Sequence, residues 1–134
     1  MSQNNEQLVK KAFIAMENAY APYSNYHVGA ALRLKNGVEI IGANIENASF
    51  GATCCAERNA IFQTYSQGYR KDDIESIAIV SDGKYLAGPC GICRQVLSEL
   101  LPQDAPIILS NGKETMVTNI NELLPLQFGI KDVL

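Results

Sequence analysis

Histidine is almost missing from this chain of 134 residues; His27 is the only one. It follows Tyr26 at the entry to a predicted strand and reads as a strand-edge residue, not a metal ligand. Cationic side chains are also scarce. Eleven Lys and Arg stand against fourteen Asp and Glu, leaving a net charge of -3 and a pI near 5.1. That balance removes the basic footprint of a nucleic-acid binder and points to a small-molecule substrate. No apolar run is long enough to span a bilayer, and no charged-then-apolar leader opens the chain, so the expected location is the cytoplasm with no membrane partner. Repeats, low-complexity stretches and linkers are lacking too. Residues 1–134 are therefore expected to form one domain, with 47% hydrophobic residues to build its core.

What is present is a set of four cysteines, Cys54, Cys55, Cys90 and Cys93. A secreted chain could pair them as disulfides. A reducing compartment favours metal or catalytic use, and the adjacent Cys54 and Cys55 make an awkward disulfide framework. Cys54 is surplus, because only one of the pair can take the position ahead of Ala56-Glu57; it reads as a small buried residue.

The apolar pattern places these residues. Leu8, Val9, Ala12, Phe13, Met16, Ala19 and Tyr20 recur at helical spacing and predict a helix over the first twenty residues, with Ser2 to Glu6 as a frayed lead. Pro22 stops it. Val28–Leu34 and Val38–Ala43 predict a hairpin about Asn36-Gly37. A second helix runs from Cys55 to about Tyr69, and Ser76–Ser81 is a strand apolar on both faces. A third helix spans Gly91 to Leu101, a second hairpin Pro106–Ser110 and Glu114–Thr118, and a short helix Asn121–Leu124. The order α-β-β-α-β-α-β-β implies an α/β fold, a three-layer α/β/α sandwich on a mixed five-stranded sheet.

Cys55, Cys90 and Cys93 all fall at predicted helix starts, where unpaired N–H groups and the macrodipole favour thiolates. Cys90 and Cys93 share one face of a first turn. Cys55 and Glu57 stand about 200° apart around a helix, so they converge only at its N-terminal tip. Three thiolates meeting at two abutting helix tips leave the fourth zinc position for water, the mark of a catalytic site. Glu57 would otherwise be a first-turn glutamate serving the macrodipole; beside such a water it becomes a proton shuttle. Three thiolates leave the metal site with a net negative charge. Arg58 could offset it by donating to sulfur, against the plainer reading of a solvent-facing arginine. Gln95 reads as a helix-surface or packing residue.

Cys55-Ala56-Glu57 followed by Pro89-Cys90-Gly91-Ile92-Cys93 matches the zinc nucleobase deaminase pattern. Together with Arg58 after Glu57, Arg94-Gln95 after Cys93, Ala21-Pro22-Tyr23-Ser24, Val28-Gly29-Ala30-Ala31, Asn44-Ile45-Glu46-Asn47-Ala48 and Glu122-Leu123-Leu124-Pro125, it closely resembles the small homotetrameric cytidine deaminases over nearly the whole chain. The resemblance implies a cytidine-deaminase-like fold, one Zn²⁺ per subunit held by Cys55, Cys90 and Cys93, and Glu57 as catalytic acid and base. It implies Arg58 as the cation beside the thiolates and Asn44 and Glu46 as a ribose clamp. Residues two apart on an extended segment do face the same way. It further implies Tyr26 stacking on the pyrimidine, the Ala56 N–H on the base carbonyl, and Phe50 and Phe128 as pocket aromatics. Phe128 would come from a neighbouring subunit, with pockets at subunit interfaces of a homotetramer. The implied reaction is hydrolytic deamination of cytidine and 2′-deoxycytidine to the uridines and ammonia, in pyrimidine salvage. The alternatives are a deaminase of a modified cytosine nucleoside such as blasticidin S, whose family lacks the Asn-x-Glu-Asn run, or a non-catalytic zinc-structured oligomer.

Overall fold

The computed structural model describes residues 1–134. The first helix, α1, spans Gln3–Met16. The Ser2 hydroxyl accepts the Asn5 N–H at 3.1 Å, so the helix start is capped, not frayed as its polar composition suggested. The helix also stops short of the expected Tyr20. Tyr20 instead joins the Asn44–Glu46 segment, donating its N–H to the Asn44 carbonyl at 2.9 Å and accepting the Glu46 N–H at 2.8 Å. An extended residue at that point satisfies two backbone groups that a further helical turn would orphan.

Five strands follow the expected order: β1 (Val28–Leu34), β2 (Glu39–Ala43), β3 (Ile74–Ser81), β4 (Ile107–Ser110) and β5 (Thr115–Thr118). They form one sheet in the order β2-β1-β3-β4-β5. Only β3 and β4 run parallel; the other pairs are antiparallel, so the sheet is mixed as expected. Gly37 turns the β1–β2 hairpin at φ 91°, a left-handed conformation that favours glycine. β3 begins at Ile74, earlier than Ser76, because Ile74 is buried and pairs with Leu34 past an irregularity.

Helix α1 covers one face of the sheet. Its Leu8, Val9 and Ala12 pack with Ala31, Ala78, Val80 and Ile108. Helices α2 (Ala56–Ser66) and α3 (Gly91–Leu100) belong to the other face. There Ile61 and Leu97 join Leu32, Ile77, Ile79 and Ile107 in the larger core. Each such fully buried aliphatic side chain contributes about 1.5–3 kcal/mol. A short helix α4 (Ile120–Leu123) is capped by Asn119, whose side chain accepts the Glu122 N–H at 3.0 Å. The result is the three-layer α/β/α sandwich expected.

Two close approaches set the helix positions. A Cβ on Gly29 would stand 2.1 Å from the Ala12 carbonyl oxygen, so α1 lies directly on β1. A Cβ on Gly42 would stand 2.6 Å from the Ala56 oxygen, so β2 carries the first turn of α2. Helix α2 grips that strand further: Asn59 Nδ2 donates to the Ala43 carbonyl at 2.7 Å and Gln63 Nε2 to the Ile41 carbonyl at 3.1 Å.

Candidate active site

The starts of α2 and α3 come together beside the end of β3. Cys55 is the residue before α2, Cys90 the residue before α3, and Cys93 lies in the first turn of α3. Their three Sγ atoms lie within 4.8 Å of one another. Zinc–sulfur bonds of about 2.3 Å in a tetrahedron place sulfurs about 3.8 Å apart. Cys55 Sγ and Cys90 Sγ stand at 3.8 Å. Cys93 is fully buried, Cys55 half-buried and Cys90 exposed. The donor set and its spacing fit a zinc ion.

The electrostatics agree with a cation site. A hydrogen bond from Cys93, with help from Arg58 and Cys90, draws the Cys55 thiol down to about 5. The same bond and burial push Cys93 up, so the two share a proton that a bound dication would displace. Arg58 Nη2 donates to Cys55 Sγ at 3.5 Å. Burial works against the charge of Arg58, but the sulfur bonds outweigh it and hold the guanidinium cationic.

Glu57 is buried at 4% exposure, and its Oε1 has no hydrogen-bond partner in the protein. Burial pushes its carboxyl up to about 7. Leaving such an oxygen unpaired costs about 1–3 kcal/mol, which marks it as the acceptor or donor for a ligand atom. A dication at the sulfurs acts in the opposite direction and favours the carboxylate.

These groups open on a cavity of about 430 Å³. Cys55, Glu57 and Cys90 line it together with Asn44, Glu46, Tyr26 and Ser24, over apolar surface from Val28, Ile79, Val80 and Ala87. A larger cleft of about 670 Å³ runs along α3 and the tail near Leu124–Lys131, but neither Glu57 nor any cysteine lines it.

Asn44 and Glu46 are both buried and both face the cavity. The Asn44 amide is held on two sides, donating to the Tyr26 carbonyl and accepting the Val28 N–H, each at 2.8 Å. Glu46 Oε1 accepts the N–H groups of Tyr23 and Ser24 at 2.9 and 3.1 Å, and Oε2 accepts the Ser24 hydroxyl. The Ser24 hydroxyl and these amides hold the Glu46 carboxyl below its ordinary value against the effect of burial. Ala56 is fully buried as the first residue of α2, where the helix supplies no acceptor for its N–H.

Phe50 and Phe128 do not line this chain's own cavity. Phe50 is 72% exposed with its ring edge-on to Tyr23, and Phe128 is 61% exposed. Gln95 donates to the Phe128 carbonyl at 2.8 Å and not to sulfur. His27 pairs with Asp82 at 2.5 Å, away from the sulfurs. The backbone of Cys54 bridges to Ile45, its thiol lies outside the cluster, and burial pushes that thiol up.

Three supporting residues were given no role by the sequence reading. Ser24 Oγ joins Glu46 to the Tyr26 N–H at 3.0 Å, Asn59 ties α2 to β2, and Arg94 donates to the Pro89 carbonyl at 2.7 Å. Ser24 and Arg94 stood within motifs that carry the family resemblance, with no role attached, and Asn59 carried no signal.

Three thiols at two helix tips, with a buried carboxyl beside them at a half-open cavity, are the arrangement that zinc nucleobase deaminases use. Residues 2–109 match the family described as the cytidine and deoxycytidylate deaminase zinc-binding region, and the chain belongs to that family. It is 49% identical to a cytidine deaminase of Halalkalibacterium halodurans, over 96% of each chain. It is 34% identical to a blasticidin-S deaminase of Bacillus cereus, over 96% of this chain and 94% of that one. The crystal structure of a cytidine deaminase from Burkholderia pseudomallei superposes with a TM-score of 0.89 at 41% identity, covering 96% of this chain and all of that one.

Proposed function

We propose that the chain, as one catalytic domain, hydrolyses the exocyclic amine of cytidine and 2′-deoxycytidine to give uridine, 2′-deoxyuridine and ammonia. The observation that carries this is Glu57, buried with an unpaired oxygen, facing the same cavity as the Cys55 and Cys90 thiols and the Asn44–Glu46 pair. No Lys, Arg or His lines that cavity, while Glu46 and Glu57 do. A 5′-phosphate would meet carboxylates and no cation, which favours the free nucleoside over the nucleotide.

Zinc held by Cys55, Cys90 and Cys93 supplies a Lewis acid that makes water nucleophilic near neutral pH. Glu57 takes one proton from the attacking water and gives it to ring nitrogen N3 as the oxygen bonds to C4. It then moves the second water proton to the amine nitrogen, the C4–N bond breaks, and ammonia leaves. Asn44 and Glu46 hold the sugar hydroxyls, Tyr26 offers its ring face to the pyrimidine, and the Ala56 N–H receives the base carbonyl. Arg58 keeps negative charge on the sulfurs from opposing the chemistry.

Glu57→Gln should retain zinc and lose about 10²–10⁴-fold in kcat, the usual worth of a positioned acid and base. Loss of cytidine ultraviolet absorbance reads the rate, with deoxycytidine, cytosine, adenosine, deoxycytidylate and blasticidin S as competitors. Near-normal turnover in zinc-replete Glu57→Gln overturns the assignment. Preference for blasticidin S would move the activity to that compound. We further read the protein as a cytoplasmic homotetramer with one zinc per subunit, acting in pyrimidine salvage. The exposed Phe50, Leu126, Phe128 and Ile130 support burial against further copies. Light scattering and metal analysis test both numbers.

A further inference from the structure

Cys90 is the least supported of the three thiols. It is exposed, and the segment before it, residues 82–89, contains no helix or strand. Its first residues are tied, Asp82 to His27 and the Gly83 and Lys84 carbonyls to Asn111 Nδ2 at 3.4 Å, but Tyr85 to Gly88 make no hydrogen bond that would lead into Cys90. Cys55, by contrast, sits at the start of a helix fixed to β2 by Asn59, and Cys93 is buried within α3. A loop residue with so few ties would not by itself hold its sulfur at 3.8 Å from that of Cys55.

Arg94 supplies the missing support. Its side chain turns back beneath the loop, as helical side chains do towards their own N-terminus. Nε donates to the Pro89 carbonyl at 2.7 Å, and Nη1 donates to the Leu123 carbonyl at 2.8 Å, at the end of α4. Gly88 lies against the same guanidinium, where a Cβ would stand 2.9 Å from Nη2. One planar fork thus bonds the residue before Cys90, packs under the residue before that, and anchors on another helix. Gln95, its neighbour, grips the tail at the Phe128 carbonyl.

We propose that Arg94 is a positioning residue for the metal centre: through Pro89 and Gly88 it fixes the Cys90 sulfur, and through Leu123 it makes that fixing depend on the C-terminal segment. The proposal rests on the reading of Cys90 as a zinc ligand. A lysine keeps the charge but not the fork, because its ammonium is a single point.

The test measures zinc release from the purified full-length protein to a chromogenic chelator, alongside thermal unfolding of the zinc-free form. Loss of an outer partner of a ligand typically costs about 10–100-fold in metal affinity. Arg94→Gln should release zinc about 10–100 times faster than the parent, with Arg94→Lys recovering only part of the difference. Gly88→Ala, which keeps the arginine and pushes on it, should show the same defect, so the test stands even if Arg94→Gln does not fold. Cobalt-loaded variants should lose intensity in their thiolate charge-transfer band. Unchanged release and an unchanged cobalt spectrum in the variants overturn the proposal, as does faster release that merely tracks lower stability of the zinc-free form. A parent protein that holds no zinc overturns the metal reading itself.

Discussion

Gly42→Ala tests whether the site depends on how closely α2 lies on the sheet. The added Cβ would stand 2.6 Å from the Ala56 oxygen and 2.7 Å from the Ala60 nitrogen, both backbone atoms. Ordinary contact begins at 3.4 Å, so the first turn of α2 must retreat by about 0.8 Å. Overpacking of this kind costs about 1–3 kcal/mol, a fall in Tm of roughly 4–12 °C for a chain of this size. The same turn carries Glu57 and Arg58 and follows Cys55, whereas Cys90 and Cys93 stay with α3. A misplacement approaching 1 Å costs up to about 100-fold in rate, so kcat should fall about 10–100-fold with the protein still folded. Circular dichroism melts and the cytidine absorbance assay read the two effects. Gly51→Ala is the control, since nothing lies within 4 Å of its added Cβ. If Gly42→Ala lowers Tm but leaves kcat and zinc content unchanged, the coupling of α2 to the site is refuted.

Arg58→Gln removes the guanidinium that donates to Cys55 Sγ; zinc-replete protein should lose about 10–100-fold in kcat, measured with cytidine at saturation. Cys55→Ala should abolish zinc retention while Cys54→Ala keeps it, read by metal analysis after dialysis. Burial pushes the Asp82 carboxyl up, but the His27 amide and ring outweigh it and hold it below its ordinary 3.8. A depressed carboxyl stabilises the fold above the unfolded value and loses that contribution as pH falls through the folded one. The Tm gap between the parent and Asp82→Asn should therefore be open at neutral pH and close as pH falls past the ordinary carboxyl value and through the lowered one.

The meeting of Cys55, Cys90 and Cys93 with Glu57 beside them was legible because it follows from local spacing at two helix starts. β1 was legible to the residue because Asn36-Gly37 pins the hairpin and the alternation is clean. The end of α1 was not: Ala19 and Tyr20 continue its apolar period, while the force that unwinds them is pairing with a segment 24 or more residues away. Glu75, exposed and charged, hid the early start of β3. The supports of the site were illegible for a related reason. Ser24 meets Glu46 across 22 residues, and Arg94 bonds backbone carbonyls, which leave no mark on side-chain identity.

The bonds from Asn59 and Gln63 to the β2 carbonyls have a consequence for solubility. β2 is an outer strand, and its outward acceptors at Ile41 and Ala43 would otherwise template a strand from another molecule. Helix α2 therefore carries Glu57 and also shields the sheet's sticky margin. Damage to this helix exposes that margin while the rest of the core stays packed, so its mutants should precipitate as inactive aggregates instead of surviving as soluble dead enzyme.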